Sequence, residues 1–390
     1  MIRQVIAMTS LSLRALPQRW SSALIDVVGV ACVVAVFVGL FSVVASYRQM
    51  LVPNADDATL LVLKSGANAE DDSALTQDAA DSIATVAKAS DPRALVSAEM
   101  SRFISLKRPQ GDGYVNVALR GVTSEAHRLR SALKLVDGRF VQTGRYELLV
   151  GRAAQKQFAG LALGGTLRLA DTDWTIVGVF EAGGGAVESE IWTDLPMVQS
   201  AFRLGNGVNS VRVKPSSLQL SAALSKRLSA TPILGVTVQR EADYYQGSVQ
   251  RLFSIMKTFA YPLLTVMLVG AVFAALNTMY GAVSARTKEI GTVRALGFGA
   301  TPVAVSVVAE SVLLSILGSA IGISLLYVAL DGRQASSSFL SNTQYAFTFV
   351  VSAEVMRQGV LWAVIIGILG GLFPALRAGR MPVARALSES

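Results

Sequence analysis

Between Asn277 and Pro302 the chain reads NTMYGAVSARTKEIGTVRALGFGATP, a short basic segment held between two long apolar runs. Neither the run before it, Thr258 to Ala285, nor the run after it, Ser311 to Leu330, carries a charged residue. Crossing ~30 Å of hydrocarbon at about 1.5 Å per residue takes roughly 18 or more such residues, so both runs are predicted to span a membrane. A soluble enzyme has no use for a basic loop in that setting. The segment is expected to form a surface on which a partner docks.

Working outward, the same criterion finds two more spans, Val27 to Tyr47 and Gln358 to Leu376. Composition agrees, because 52% of the 390 residues are hydrophobic and only 16% are charged, too apolar a balance for an ordinary soluble domain. Arg3, Arg14 and Arg19 precede the first run, Arg286, Lys288 and Arg294 follow the second, and Arg377, Arg380 and Arg385 follow the last. Against these nine cations stand Glu289 and Glu389, so most of the chain's net charge of +8 lies on three segments. Cytoplasmic loops carry such an excess, which places both termini and the quoted segment inside. The charge therefore reports membrane topology and argues against nucleic-acid binding.

The first apolar run is longer than the roughly 7–15 residues of a signal-peptide core and is expected to stay as an anchor. Ahead of it, Ile2, Val5, Ile6, Leu13, Leu16 and Trp20 fall on one helical arc, with Arg3, Gln4, Arg14 and Gln18 opposite. That pattern predicts a helix lying in the membrane interface, the alternative being a disordered tail. The reading divides the chain into this interfacial helix over 1–22, transmembrane helices over 23–47, 251–285, 302–330 and 357–377, and an outer α+β domain over 48–250. A cytoplasmic loop or helix over 286–301, a short outer loop over 331–356 and a cytoplasmic tail over 378–390 complete it.

The outer domain has 24 basic and 21 acidic residues between Arg48 and Lys257 and no cysteine, so it must fold on its own core without disulfides. Apolar periodicity predicts strands at Thr59 to Lys64, Ala94 to Lys107, Tyr114 to Gly121, Glu147 to Val150, Thr166 to Leu169, Trp174 to Phe180, Ser189 to Thr193 and Gly235 to Arg240. Helices are predicted at Thr76 to Ala89 and Ser217 to Ser229, giving a β-rich piece inserted into a small α/β piece. Ser65 to Ser73 and Gly183 to Gly185 read as connecting loops.

Catalytic chemistry finds little support. There is no GxxxxGK[ST] phosphate loop in these residues, which excludes Walker-type ATP hydrolysis within them. The single His127 and single Cys32 cannot make a zinc site at the usual spacings. Gly183 to Gly185 lacks the acidic partner that a dinucleotide site needs, and the pairs Asp56-Asp57 and Asp71-Asp72 read as solvated. No catalytic, cofactor-binding or metal-binding residue is assigned.

Within the membrane runs, Gly318 and Gly322, and Gly367 and Gly371, are four apart and permit close helix approach. Glu310, at the start of the third run, needs a partner, and Asn277 is the expected one. In the cytoplasmic segment, Ser284 to Ala300 is predicted to form a short helix, with a solvated basic loop as the alternative.

Asn277, Arg286-Thr287-Lys288-Glu289-Ile290-Gly291 and Arg294-Ala295-Leu296-Gly297 resemble the loop after the second membrane helix in the FtsX/MacB (type VII) ABC transporter permeases. The phrases VALRGVT, VDGRF, ELLVG, WTIVGVF and VNSVRVKP resemble the MacB-type periplasmic domain, and GLFPALRAGRMPVARAL resembles the family's ending, with Met381-Pro382 in place of the usual Asp-Pro. The resemblance implies a permease of the bacterial inner membrane that pairs with a second permease chain and with a separate ABC ATPase, which binds ATP and Mg. It implies mechanotransmission, in which ATP-driven closure is relayed to the outer domain, and export or extraction of a substrate with a periplasmic adaptor and outer-membrane component. A non-transporting, FtsX-like regulator of a cell-wall hydrolase is the alternative. The residues expected to meet the ATPase are Arg286, Glu289 and Arg294 as ion-pair partners and Ile290, Val293, Leu296 and Gly297 as the packing face.

Overall fold

The computed structural model describes residues 20–52, 56–107, 114–337 and 345–380. The interfacial helix expected before Trp20 and the tail beyond Arg380 lie outside them. The elements in chain order are α1 (Trp20–Leu51), β1 (Leu60–Lys64), α2 (Gln77–Ser90), β2 (Leu95–Lys107), β3 (Tyr114–Val122), α3 (Ala126–Leu129), β4 (Lys134–Gly138), β5 (Glu147–Gly151), α4 (Arg152–Gln157), β6 (Thr166–Leu169) and β7 (Thr172–Glu181). They continue with β8 (Ile191–Asp194), α5 (Leu195–Ala201), β9 (Ser210–Lys214), α6 (Leu218–Ser229), β10 (Val236–Arg240), α7 (Glu241–Ala285), α8 (Thr287–Ala295), α9 (Ala300–Leu330), β11 (Gln334–Ser337), β12 (Tyr345–Thr348) and α10 (Ala353–Arg380). The chain divides into a helical unit, residues 1–45, 253–333 and 349–390, and an α+β unit, residues 46–252 and 334–348.

In the helical unit α1, α7, α9 and α10 are each long and apolar enough to cross a membrane. Their surfaces are inverted relative to a soluble bundle. Phe259, Val266 and Phe273 on α7 and Leu325 and Val328 on α9 point outward, whereas α9 buries Ser306, Ser311, Ser315 and Ser319. Lipid solvates the large apolar groups, and the small or polar ones must find partners between helices. A Cβ on Gly318 would lie 2.6 Å from the Val27 carbonyl oxygen and one on Gly322 2.5 Å from that of Ala31, so α1 packs directly on this glycine face of α9. A Cβ on Gly367 would lie 2.7 Å from the Val312 Cα, and one on Gly371 2.9 Å from the Ser311 Cβ, so α10 uses its pair against the same helix. Gly359 and Gly370 make further close approaches, to Val38 and Ala275, that the four-residue spacing did not flag.

The membrane helices extend past the uncharged runs. α7 begins at Glu241, where hydropathy alone starts the span at 251, because polar residues such as Asp243, Gln246 and Arg251 continue the helix with no proline before Pro262. α9 begins at Ala300, ahead of Glu310, and α10 at Ala353. The outer loop expected over 331–356 contains the β11–β12 hairpin.

The α+β unit is organised by one mixed sheet in the order β10-β1-β9-β2-β3-β8-β5-β7-β4, with β6 paired to β7. The β-rich stretch expected as an insertion leaves after β2 and returns at β9, which lies next to β2, but it extends the same sheet through the parallel β3–β8 pair. β9 was not predicted as a strand; its SVRVK places Arg212 between two fully buried valines, so no alternation marks a solvent face. The helices cover the sheet by ordinary amphipathic spacing. Thr76 caps α2 by accepting from the Ala79 N–H, and Ala80, Ile83 and Ala87 turn inward. Ser217 caps α6 in the same way, and Leu224 and Leu228 are buried.

Three guanidiniums and four carboxylates sit inside this unit. Arg120 grips Glu190 with both arms at 2.7 Å and reaches Glu70 and Glu99 at 3.1 Å. Arg130 takes both oxygens of Glu99 at 2.8 Å and lies over the Trp192 ring. Arg212, fully buried, joins Glu70, Glu99 and Glu241. Burial by itself would raise the Glu70 carboxyl, but Arg120 and Arg212 outweigh it and hold it down at about 2. For Glu99 burial also pushes upward, and Arg130 and Arg212 win by more.

Two outcomes follow from this packing and electrostatics. Gly322→Leu in the detergent-solubilised full chain should lower the thermal midpoint by several degrees, since forcing a side chain into a filled contact costs about 1–3 kcal/mol. Gly270→Ala, where a Cβ meets nothing within 4 Å, should leave it unchanged; equal midpoints would refute the α1–α9 contact. Glu70 and Glu99 are more acidic folded than unfolded, so their stabilisation is present above the unfolded carboxylate range, about 4.3, and is lost as pH falls towards 2. Far-ultraviolet circular dichroism should show the strand signal melting at progressively lower temperature over that window, and an Arg120→Met variant should lose the steep acid limb.

Candidate functional site

The quoted basic segment folds into α8, a helix of 9 residues following a break at Arg286. The break has a physical cause: Arg286, at the N-cap position, turns its side chain inward instead of towards solvent. It is only 8% exposed, and its Nη1 lies 3.1 Å from the Glu310 Oε2 on α9. Glu310 is itself 4% exposed. The expectation that Arg286 pairs with an outside protein is corrected here, because Arg286 is a partner of Glu310 inside the bundle. A carboxylate buried among these helices needs a full opposite charge, and Arg286, directly before α8, supplies it although Lys288 and Arg294 lie nearer in sequence.

The apolar residues divide in the same way. Ile290, expected as an outward anchor, is buried with Met279 and Val283 of α7, Val303 and Val307 of α9, and Ala375 and Ala378 of α10. Val293 packs against that cluster. These two hold α8 to its own bundle, because a helix of 9 residues cannot stand alone and must bury a face. What remains outward is Lys288, Glu289, Thr292 and Ala295, together with Leu296, which is 76% exposed, and Gly297. Arg294 is half-buried at the edge of this surface.

The end of α8 is fixed by Gly297, whose φ of +96° only glycine adopts without strain. Its N–H donates to the Arg294 carbonyl and the Phe298 N–H to that of Val293, a closure that turns Phe298 inward and leaves Leu296 outside. The segment therefore presents a compact outer surface with one exposed leucine and one exposed carboxylate, seated on three membrane helices and tied by a buried ion pair. No chemistry is built here. Among the described residues no group of three or more His, Cys, Asp or Glu could hold a metal ion.

Two features lay beyond the sequence reading. Asp26 on α1 is 5% exposed and hydrogen-bonds the Thr278 side chain of α7, with Oδ1 unpartnered among the described residues. It escaped notice because the uncharged run was begun at Val27, one residue later. The Arg120–Arg130–Arg212 cluster also escaped, although charges at Glu99, Arg120 and Arg212 inside apolar strands were a visible signal. His127 stacks on Phe140.

Comparison with known proteins gives two matches in chain order. Residues 23–231 match the MacB-like periplasmic core domain and residues 263–383 the FtsX-like permease C-terminal region. The uncharacterized ABC transporter permease YknZ of Bacillus subtilis is 24% identical over 291 residues, covering 71% of this chain and 68% of its own. Macrolide export ATP-binding/permease protein MacB 2 of Yersinia pestis bv. Antiqua is 31% identical over 147 residues, 38% of this chain but only 21% of its own length. This chain thus corresponds to a minor part of that longer protein. The periplasmic region of MacB from Actinobacillus actinomycetemcomitans aligns over 52% of this chain and 96% of its own at 17% identity, with a TM-score of 0.37.

The buried pair at α8 makes a prediction that a surface pair would not. Removing one partner leaves an uncompensated buried charge, a loss of roughly 3–5 kcal/mol, whereas replacing both with apolar groups is far milder. Arg286→Met should therefore lower the thermal midpoint of the full chain sharply, and Arg286→Met combined with Glu310→Leu should recover most of it. Additive losses in the double variant would show that the two side chains do not depend on each other.

Proposed function

Because the chain belongs to the FtsX/MacB-type ABC transporter permeases, we propose that it relays ATP hydrolysis by a separate ATPase subunit into movement of its α+β unit. The observation that supports this reading is α8, a short helix with a fixed outer surface, rooted by Ile290, Val293 and the Arg286–Glu310 pair in three membrane helices. Displacing such a helix displaces its supports with it. A helix hung on flexible loops would absorb the motion instead.

In this reading the ATPase grips the outward face of α8 through Leu296, with Glu289 and Arg294 as polar partners. Arg286, Ile290 and Val293 act behind that face as its mounting. Two copies of the permease flank two ATPase subunits in the bacterial inner membrane, with both termini and α8 on the cytoplasmic side and the α+β unit in the periplasm. ATP and Mg belong to the partner. The relay serves export or extraction of a periplasmic or membrane-derived substrate, with a periplasmic adaptor and outer-membrane component completing the route.

Leu296→Asp and Glu289→Lys should leave membrane insertion and the thermal midpoint unchanged, because both side chains are exposed. Capture of the co-expressed ATPase by a tagged permease should nevertheless fall by at least about tenfold for Leu296→Asp, as expected for losing an anchor worth ~2 kcal/mol. Undiminished capture by both variants would place the contact elsewhere. Proteins co-purifying with the intact complex separate the outcomes: an adaptor with a long helical hairpin supports export, and a coiled-coil hydrolase activator supports the regulatory role.

A further inference from the structure

The charge inventory of the buried cluster is uneven. Arg120 with Glu190, Arg130 with Glu99 and Arg212 with Glu70 already form three complete pairs, two of them bidentate. Glu241 is a fourth carboxylate, surplus to neutralisation. It is 5% exposed, and its contact with the cluster is made through Oε1, 3.0 Å from the Arg212 Nε. The same guanidinium meets Glu99 through Nη1 and Glu70 through Nη2, both at 2.6 Å. Three carboxylates in three directions is a task for the planar arginine fork and not for the single ammonium of lysine.

Glu241 is also the first residue of α7. Its backbone N–H donates to the Thr59 carbonyl at 2.8 Å, just ahead of β1. One turn on, the Tyr244 hydroxyl accepts from the Glu70 N–H at 3.3 Å, and two turns further Arg251 reaches the Asn68 carbonyl at 3.4 Å. The start of α7 and the Asn68–Asp72 segment are thus clasped together around Arg212. Beside them lies a cavity of about 40 Å³ lined by Met50, Leu51, Arg130, Val187, Glu241 and Tyr245, room for one or two waters and so for a small shift of the first turn.

We propose that Arg212 is a positioning residue that fixes where α7 leaves the sheet, by holding the surplus carboxylate of Glu241 in the guanidinium that also holds Glu70 and Glu99. This deepens the relay reading above and rests on it, because α7 carries the chain from that sheet into its membrane-length run. A helix start held by one buried charge-assisted contact, next to free volume, has a defined position that can be released without dismantling the other three pairs.

The test is hydrogen–deuterium exchange on the full chain in lipid nanodiscs. Glu241→Gln keeps an acceptor and removes only the surplus charge, so amides 242–248 should exchange roughly tenfold faster while β2, β3 and the thermal midpoint stay as they were. Arg212→Lys should give the same local signature, since its ammonium remains with Glu70 and Glu99 and abandons Glu241. Unchanged exchange at 242–248 in Glu241→Gln, or acceleration spread evenly through β2, β3 and β9, would overturn the proposal. ATP turnover by the co-purified ATPase provides a separate arm. If the first turn loosens and turnover still responds to the permease as in the unaltered chain, the positioning role stands and the relay reading fails.

Discussion

A charge removed from water must be met by an opposite charge held in place, and this requirement shapes both units of the chain. In the helical unit it acts at Glu310, whose carboxylate draws Arg286 inward and breaks the helical path between α7 and α8. The break gives α8 its own direction and leaves Leu296 and Glu289 outside while Ile290 is drawn in. In the α+β unit it acts several times over, and the result is a core in which β2, β3, β9, the residue before β8 and the start of α7 are joined by side chains. Buried ion pairs are poor sources of net stability, because desolvation cancels most of the attraction. Their effect is on geometry: each partner tolerates only one arrangement.

The membrane helices achieve definition by a second route. Lipid tails give no hydrophobic incentive for one helix to leave them for another, so contact relies on close packing and on small polar groups. α9 supplies both, with Gly318 and Gly322 against α1 and buried serines facing α10. Its large side chains, Leu325 and Val328 among them, are left to the lipid. Such a helix has little freedom to rotate, since turning would drive serines into hydrocarbon and leucines into a backbone contact.

Much of this was legible in the sequence. Uncharged length located four membrane helices, alternation located most of the strands, and positions four apart located the glycines on which α9 and α10 pack. What failed was the assignment of direction. Arg286 and Ile290 lie in a basic segment at helical spacing, yet spacing defines a face without saying which way it points. Glu310, twenty-four residues along, decides the matter through a contact that no local pattern encodes. The same holds for Arg212 and Glu241, whose meeting depends on sheet order: β9 lies beside β1 only after a long excursion through β3 to β8. Asp26 stands directly before the uncharged run, so uncharged length alone passes over it.

The start of α7 shows why the limits of an apolar run are a weak guide to a functional boundary. Hydropathy ends the span near residue 251, but the helix continues through Arg251, Ser248 and Tyr244 to Glu241 with its hydrogen-bonded ladder intact. Its first turn is fastened twice over, by the exposed Arg240–Asp243 pair at 2.7 Å and by the buried Arg212–Glu241 contact. The two fastenings differ in kind. An exposed pair is screened by water and salt, so it yields readily. The buried contact is not screened, and leaving either partner alone is costly, so it favours two discrete states, held and released, over a continuum. The second fastening therefore has the character needed to give the helix a defined start, while the first adds little beyond solubility.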